Sequence, residues 1–473
     1  MMLLAVAALA SVAIVTQDRV ALRAAPRDSA TPQAVLWQGD TLEIRGERLG
    51  YLQVYDHRRE RAGYVLATQV RGSSLAPEEA PDLLAVLRFV RDTPGAEALG
   101  IGYAAAYLKA APAGTITAEP FDALGTMAER LARRASVRQG KAGDAVASHL
   151  EVAGFYGVQF KSYERDGALR LCYDGDAFRH VFALAASADQ RARAALALTR
   201  HDCVDPALRP LERAQLDQWR GEVLDRIDAT RWQQLPEAPK NRLRLRRAGV
   251  WSALAFERTR QGDTAPAASA AQRAIDELAA VNKNELSDDD AVDYNDAAVR
   301  VGAVRWAAQT MPATPSRGLR IATAPGQPGE TCVMLVDATH DATAPLAKRC
   351  SYAIVWAASA RAHPNGRALA LAVQPLAGWR ELWVFRKQAG GWAIDVLPPG
   401  TGDPELGYIE FAGWAPDGTK LLLAREARVD GRYRRSFEVA NLTTLNTEKQ
   451  AGTSALFGNW ADAGWKRLTV SLR

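Results

Sequence analysis

The chain has 473 residues, of which 48% are hydrophobic and 24% are charged, with a net charge of +5. This length excludes a single hydrophobic core and predicts about two to four domains, and the composition is that of an ordinary globular protein. The positive excess is small among 59 basic and 54 acidic residues. It fits attraction to anionic envelope polymers or lipid headgroups, and equally a solvated basic surface without a specific partner.

The chain opens with small apolar residues that predict an export signal over residues 1–13. Met1 to Ala13 carries no charge. Ala8-x-Ala10 and Ser11-x-Ala13 both offer the small residues that a signal peptidase requires, although a basic segment before the apolar run is missing. The alternative is that this stretch is the first strand of the next domain. Elsewhere no apolar run approaches about eighteen residues, so we predict no membrane-spanning helix.

Residues 14–71 have the pattern of a small antiparallel barrel. Apolar residues alternate with polar ones in Thr41–Ile44 and again in Tyr51–Val54, which places one face of each strand inside and the other outside. Pro26 and Gly39 mark turns between the strands. A hinge, residues 72–77, follows this domain.

The order and spacing of residues in this domain resemble the bacterial Src-homology-3 (SH3b) domain. The resemblance rests on Arg23, Pro26, Gly39, Tyr51 and the segment Gly63-Tyr64-Val65. The chain departs from the family at Ala21 and Ala25, where Asn and Gly are usual, and it has tyrosine where tryptophan is frequent. The resemblance implies a barrel that binds a ligand through surface aromatic rings. The candidate binding residues are Tyr51, Tyr55, Tyr64, Arg58, Arg59 and Arg61.

An alternative for the tyrosines remains open, because Tyr51 and Tyr64 also fit the role of residues at the edge of the barrel core. In that case the barrel packs only on its own chain.

A helical domain is predicted over residues 77–310. It has one internal hairpin, which joins 158–163 to 169–173 around Asp166-Gly167. Ala-rich amphipathic segments suggest an interaction or spacer domain. After the first helix, which opens at Pro77, further helices are expected near 117–137, 144–155, 175–201, 208–230, 240–261, 265–281 and 288–308.

Three short patterns in this region have structural explanations that we prefer to functional ones. The glycines of Gly100–Ala105 resemble a dinucleotide fingerprint, but no strand precedes them, so we expect close helix packing. The acidic run Ser287–Asp290 lacks the glycine and the distant glutamate of a calcium loop, so we expect a helix N-cap. The basic run Lys240–Arg247 lacks interleaved aromatic residues, so we expect a solvated helix face and no nucleic-acid partner.

Residues 314–473 change to strands and contain repeated turns. The segment Trp414–Ala424 resembles the repeat of TolB-type β-propellers, in which a Pro-Asp-Gly turn precedes a buried strand. Weaker copies lie at 363–372 and 460–468, and Gly366, Gly418 and Gly464 are spaced by 52 and 46 residues, which suits blades of about 40–50 residues. About three blades fit. The domain is therefore an incomplete arc, a repacked antiparallel sandwich, or half of a ring completed by another chain.

Four cysteines fall into two pairs that are close in sequence. Cys172 precedes Cys203 by 31 positions, and Cys332 precedes Cys350 by 18. Locality favours these two disulfides among the three possible pairings and indicates an oxidising compartment, periplasmic or otherwise exported. The chain has no C-x-x-C motif, so we predict no zinc knuckle and no other metal site.

We predict no catalytic residue and no cofactor. Asp202-Cys203 lacks the context of cell-wall cysteine peptidases and follows a predicted helix, where the dipole raises a thiol pKa. We therefore expect a half-cystine. The competing hypothesis is a divergent cell-wall hydrolase with a site in the helical domain, near Asp174, Asp176, His180 and His201. For His180 itself we expect a buried position beside phenylalanines.

These observations predict a multidomain α+β protein: a small SH3-like β-barrel, an all-α middle domain, and a C-terminal antiparallel β domain that is partly propeller-like. The favoured function is a non-enzymatic envelope binding or scaffold protein. Its partner would be peptidoglycan or an envelope protein, without nucleic acid and without an integral membrane span. The third hypothesis is a purely structural protein whose barrel packs on its own chain. The sequence does not indicate the oligomeric state.

Overall fold

The computed structural model describes residues 11–137, 141–165, 168–309, 318–401, 406–429, 431–462 and 465. The chain is a mixed α+β protein with mainly antiparallel sheets, as predicted. It divides into two compact units, Met1–Arg209 with Val223–Leu235, and Pro210–Glu222 with Pro236–Arg473. In the described part of the chain, no helix combines the length and the apolar character needed to cross a membrane.

The first unit begins with an antiparallel sheet that has seven strands in the described residues. Their order is β3-β2-β6-β5-β4-β1-β7. Alternate side chains from six of these strands form its core, among them Val15, Leu22, Leu42, Val54 and Val65. The strands are β1 (Val12–Val15), β2 (Val20–Arg23), β3 (Pro32–Leu36), β4 (Thr41–Arg48), β5 (Tyr51–Asp56), β6 (Arg61–Leu66) and β7 (Val70–Ser73).

Strand β1 begins inside the segment assigned to the leader, whose residues 1–10 lie outside the described residues. It pairs with both neighbours, Val12 opposite Glu43 on β4 and opposite Ser73 on β7. Ala13 has no exposed surface. Cleavage after residue 13 would therefore remove half of a strand, whereas cleavage after residue 10 leaves the strand whole. The sheet spans 12–73, slightly more than the predicted 14–71.

The sequence placed all the helices in one segment, whereas in the structure they divide between the two units, and the boundary falls inside the seventh helix. The predicted helix over 175–201 is two helices, because Ser187 and Gln190 form a capping box that starts a new one. The next elements in chain order are α1 (Ala80–Arg91), α2 (Glu97–Ala110), α3 (Glu119–Val137), α4 (Lys141–Phe155), β8 (Phe160–Arg165), β9 (Ala168–Tyr173), α5 (Asp176–Ala183), α6 (Ala188–Leu198), α7 (Pro210–Asp225) and α8 (Ala229–Gln234).

Within the first unit the sheet packs on helices through a very close backbone contact. Gly39, before β4, has φ +88°, and a Cβ there would overlap the carbonyl oxygen of Ala98 on α2. A Cβ on Gly102 would lie 3.0 Å from the Gly39 oxygen. Tyr156 also donates a hydrogen bond of 2.5 Å to that oxygen. The packing explanation of the α2 glycines is thereby confirmed.

Replacing Gly39 with alanine is expected to lower the free energy of unfolding by at least about 2 kcal/mol, because the side chain adds a backbone clash to a left-handed conformation. Gly50→Ala is the matched control. Gly50 has φ +76°, with nothing within 4 Å of an added Cβ, so only the conformational cost of about 1 kcal/mol remains. Urea titration of both variants measures the difference. Equal losses would show that the contact with α2 contributes nothing.

The second unit contains three long helices: α9 (Glu237–Gln261), α10 (Thr264–Ala279) and α11 (Asp288–Val304). The predicted N-cap is confirmed, since the Ser287 hydroxyl accepts the backbone N–H of Asp290. The basic run on α9 is only partly the solvated face that we predicted. Arg247 is buried and lies 3.5 Å from Glu277. Arg242 is exposed, as predicted, and contacts the Asp290 carboxylate at 2.7 Å. Carboxylates from neighbouring segments therefore compensate this positive charge.

Strands form the rest of the second unit and stack in three layers. In the described residues, β10–β12 form one sheet, which is the first layer, and β13–β21 form a second sheet. In this second sheet β16 pairs with β17 along most of its length but with β18 only at Trp379 and Arg380. We therefore treat β13–β17 as the middle layer and β18–β21 as the third layer. The strands are β10 (Arg320–Pro325), β11 (Thr331–Val336), β12 (Ala347–Ser351), β13 (Ile354–Val355), β14 (Arg361–Ala362), β15 (Ala368–Leu376), β16 (Trp379–Gln388), β17 (Gly391–Leu397), β18 (Leu406–Trp414), β19 (Lys420–Val429), β20 (Arg432–Asn441) and β21 (Thr447–Ala451).

In the middle layer, β13–β17, the long strands β15 and β16 bury both of their faces. On one face Leu371 and Phe385 pack with Leu335 of β11. On the other face Leu382 packs with Leu423 of β19. This is why these strands lack the alternation of polar and apolar residues that one-sided burial produces.

Two of the repeated turns have the same geometry. Gly366 donates to the His363 carbonyl, and Gly418 donates to the Ala415 carbonyl, each at 2.9 Å. The two glycines have φ +64° and +68°, a conformation that favours glycine. Each turn leads into a buried strand, β15 or β19. Gly464 of the third predicted copy lies outside the described residues.

Candidate functional site

The three candidate tyrosines share one face of the N-terminal sheet. Tyr51, Gln53 and Tyr55 alternate along β5, and Val54 between them points into the core. On β6, Tyr64 lies opposite Gln53. Because alternate residues of paired strands share a side, these four residues form one surface, which we call the tyrosine face.

Tyr51 is the least accessible member of the tyrosine face. It is 6% exposed, and its hydroxyl donates a hydrogen bond to the Asp28 carboxylate in the loop after β2. That bond raises the pKa of Tyr51, and burial raises it further. The residue therefore holds the loop between β2 and β3 against this face of the sheet, a structural role that fits the core-edge alternative.

Tyr55 and Tyr64 are half-buried and present part of their rings outward. The Arg45 guanidinium lies 4.2 Å from the centre of the Tyr55 ring, and the His57 ring lies 4.9 Å from it. Glu43 accepts hydrogen bonds from both, at 3.2 and 2.7 Å. The bonds from Arg45 and then His57 lower the pKa of Glu43. This cluster fixes the surroundings of Tyr55.

Tyr64 is flanked by polar side chains from the neighbouring strands. Besides facing Gln53, it pairs with Arg23 on β2. The Arg23 guanidinium donates to the Ala30 carbonyl at 3.0 Å. A ring with an amide on one side and a guanidinium on the other can contact an apolar surface while its neighbours bind polar groups.

Two of the three candidate arginines, Arg58 and Arg59, lie beside the buried carboxylates of Asp40 and Asp56. Arg59 contacts Asp56 at 2.6 Å and Asp40 at 3.1 Å, and these carboxylates are 1% and 5% exposed. Burial lowers the pKa of Arg59, but the carboxylates outweigh it, so the net shift is upward. Arg58 lies 3.4 Å from Asp40. Arg61 is exposed and donates to the Gln33 carbonyl at 2.5 Å.

The residues proposed for a hydrolase site lie near the surface of the first unit. Asp176 and His180 approach to 3.6 Å on α5, with side chains 66% and 51% exposed. The prediction that His180 is buried is therefore wrong. Phe178 and Val181 face the core, and the helical period turns position 180 away from them. His180 instead stacks on Phe121, with ring centres 4.7 Å apart.

The cysteines pair as the sequence predicted. Cys172 on β9 bonds Cys203 in the loop after α6, with Cα atoms 5.7 Å apart. Cys332 on β11 bonds Cys350 on β12, where the two residues are direct register partners. No cysteine is free. In this state Cys203 is a half-cystine and not a nucleophile.

A buried charge cluster occupies the second unit. Glu410 accepts from the guanidinium of Arg305 at 2.7 and 2.6 Å and also pairs with Arg380. Arg380 donates to the Gly302 carbonyl at 2.6 Å, and the Trp465 indole donates to Glu410 at 3.1 Å. The adjoining cavity measures about 20 Å³, room for about one water. The cavity is too small for a substrate, so we interpret the cluster as a structural ion-pair network.

The resemblance did not identify three residues around the tyrosine face: Gln53, Arg23 and Arg45. The sequence does carry a signal for Gln53, because the period of two that starts at Tyr51 places it between two tyrosines. Arg23 and Arg45 reach the face through strand pairing and a bulge in β4, for which the sequence carries no local signal. The chain matches no protein-family model, no curated protein and no solved structure, so its site is interpreted from its own geometry.

Proposed function

We propose that the protein is a non-enzymatic binding or scaffold protein of the cell envelope. Its N-terminal sheet would act as an SH3b-like barrel that docks to peptidoglycan or to an envelope protein. The observation that carries this proposal is the position of Tyr55 and Tyr64, whose half-exposed rings share one outward face of the sheet.

The chemistry of the tyrosine face suits a polymer with both apolar and acidic groups. Aromatic rings bury apolar surface at small entropic cost and keep a polar hydroxyl at the edge. Arg45 and Arg48 on β4 are exposed and would attract carboxylates. Arg58 and Arg59 are engaged with buried carboxylates, so Arg61 is the member of the predicted arginine set that best suits this role.

The proposal includes export, which the two disulfides support. Two disulfides are typical of proteins in an oxidising compartment such as the periplasm. We infer that a leader ends at Ala10, because strand β1 then remains complete. Mass spectrometry of envelope protein should find Ser11 as the first residue, and an intact Met1 in a cytoplasmic fraction would contradict export.

The other parts of the chain would extend the scaffold. We propose that the helices act as spacer and platform, and that the three stacked β layers form a propeller-like arc that offers a second binding face. The matching turns at Gly366 and Gly418 support this proposal.

Co-sedimentation of the full-length protein with purified peptidoglycan sacculi tests the tyrosine face. We expect Tyr55→Ala and Tyr64→Ala each to weaken binding by about 1–2 kcal/mol, a factor of about 5–30. Tyr163→Ala is the control, because Tyr163 is a half-buried tyrosine on β8, outside this sheet. Binding through rings should persist at high salt, whereas purely charge-driven binding should weaken sharply.

A second candidate function is purely structural, and the contact between Gly39 and α2 favours it, because it shows the N-terminal sheet packed on its own chain. If folded wild-type protein stays in the supernatant at both low and high salt, wall binding is wrong. A pull-down of envelope proteins then separates the two remaining cases. Capture that Tyr64→Ala abolishes indicates a protein partner, and no specific capture leaves the structural role.

A further inference from the structure

Three potential metal ligands lie together in the second unit. The carboxylate of Glu330 and the sulfur atoms of Cys332 and Cys350 all lie within 4.8 Å of one another. Among the residues that the structure describes, no other three His, Cys, Asp or Glu side chains bring their ligand atoms this close together. The two cysteines bond each other across β11 and β12.

The Glu330 carboxylate is held in place by the turn between β10 and β11. It accepts the backbone N–H of Gln327 at 3.0 Å, and the Glu330 N–H donates to the Gln327 carbonyl at 2.8 Å. A Cβ on Gly326 would overlap the carboxylate and lie 3.1 Å from the Cys332 sulfur. Glycine at this position therefore allows the carboxylate to sit beside the sulfur.

We propose that reduction of the Cys332–Cys350 disulfide converts this group into a Zn²⁺ site. Two thiolate sulfurs and one carboxylate oxygen are ligands that Zn²⁺ prefers, and water completes a tetrahedron. With Zn–S bonds of about 2.3 Å, the two sulfurs must stand about 3.8 Å apart. Rotation of the two side chains about their Cα–Cβ bonds supplies this separation, because the Cβ atoms of a disulfide-bonded pair stand about 3.5–4.5 Å apart.

The chemical step is thiol–disulfide exchange with a dithiol reductant. One thiolate of the reductant attacks a protein sulfur, which breaks the protein disulfide and forms a mixed disulfide. The second thiol of the reductant then displaces the other protein thiol. The reductant leaves as a disulfide, and two electrons and two protons have passed to the protein. Zn²⁺ binding releases the two protons as the thiols become thiolates.

Access supports the proposal. Residues 325–329 of the turn are exposed, and Glu330 and Cys350 are half-buried, so a reductant and an ion can both approach from this side. The other disulfide lacks such a third ligand in the described residues. The inference is independent of the tyrosine face, and peptidoglycan binding can fail without affecting it.

Metal titration of the full-length protein in its oxidised and phosphine-reduced forms tests the site. Zn²⁺ is measured by competition with a chromophoric chelator, and Co²⁺ by the absorption of tetrahedral cobalt–thiolate. We expect one ion per chain in the reduced protein and none in the oxidised protein. Glu330→Gln should weaken Zn²⁺ binding at least about tenfold. Cys332→Ser with Cys350→Ser should abolish it.

The matched control is Cys172→Ser with Cys203→Ser, which should keep the reduction-dependent ion. Circular dichroism establishes that the reduced protein is folded, and if the control pair fails to fold, the comparison with Glu330→Gln still decides. Several results would each overturn the proposal: binding by the oxidised protein, equal binding by Glu330→Gln, no binding by folded reduced protein, or loss of fold on reduction.

Discussion

Replacing Glu410 with glutamine is expected to lower the free energy of unfolding by about 3–5 kcal/mol. The carboxylate is 4% exposed and compensates Arg305 and Arg380, which are 3% and 0% exposed. Glutamine keeps the size of the side chain but removes its charge, so two buried guanidinium groups lose the carboxylate that both of them contact. Chemical denaturation of both proteins at neutral pH measures the loss.

The effect should depend on pH in one direction. Burial alone would raise the pKa of Glu410, but the guanidinium groups of Arg305 and Arg380 outweigh it and hold the pKa below its ordinary value. A carboxyl with a lowered folded-state pKa stabilises the fold above the unfolded pKa of about 4.3, and this stabilisation is lost as pH falls through the folded value. The gap between wild type and Glu410→Gln should therefore be full above about pH 5 and shrink in more acidic solution.

Glu448→Gln is the matched control. Glu448 pairs with Lys420 at 2.8 Å, but about a third of each side chain is exposed, so the same substitution should cost about 0–1 kcal/mol. A loss at Glu410 no larger than at Glu448 would show that the buried cluster carries no net stabilisation.

Replacing Arg59 with methionine is expected to cost about 3 kcal/mol of unfolding free energy. The substitution keeps an apolar stem and removes the guanidinium that joins Asp40 to Asp56. We expect the lower end of the range for buried pairs, because Arg59 is 20% exposed and Arg58 still lies 3.4 Å from Asp40.

Arg61→Met separates charge loss from structural loss. Arg61 is exposed and makes a single described contact to a carbonyl, so its replacement should change stability by no more than about 0.5 kcal/mol. If Arg59→Met is equally mild but weakens sacculus binding, Arg59 is a ligand residue and the ion-pair explanation fails.

The sequence predicted the elements whose periodicity is strong and missed those decided by long-range contact. Helix α3 was expected at 117–137 and occupies Glu119–Val137, because its apolar stripe has a clear period. The break between α5 and α6 was missed, since the capping residue Ser187 lies within a continuous polar and apolar pattern. No local signal divides the helices between two units, because that division depends on contacts between elements that are distant in the sequence.

Around the candidate site, the sequence pattern predicted which residues share a face of the sheet, but not which side chains contact them. The alternation along β5 predicts which residues share a side with Tyr55. It cannot show that Tyr51 is covered by the loop carrying Asp28, nor that Arg59 is committed to buried carboxylates. Both outcomes depend on side chains brought together by the fold from separate turns, and such contacts leave no spacing in the sequence.

The stacking of the three β layers has a consequence for how the second unit unfolds. A layer that buries both faces shares two interfaces, whereas an outer layer shares one with its neighbouring layer. In such a linear array, cooperativity passes from neighbour to neighbour. Loosening the middle layer, for example by truncating Phe385, should uncouple the outer two and split one melting transition into separate ones. The same truncation in an outer layer should shift the transition without dividing it.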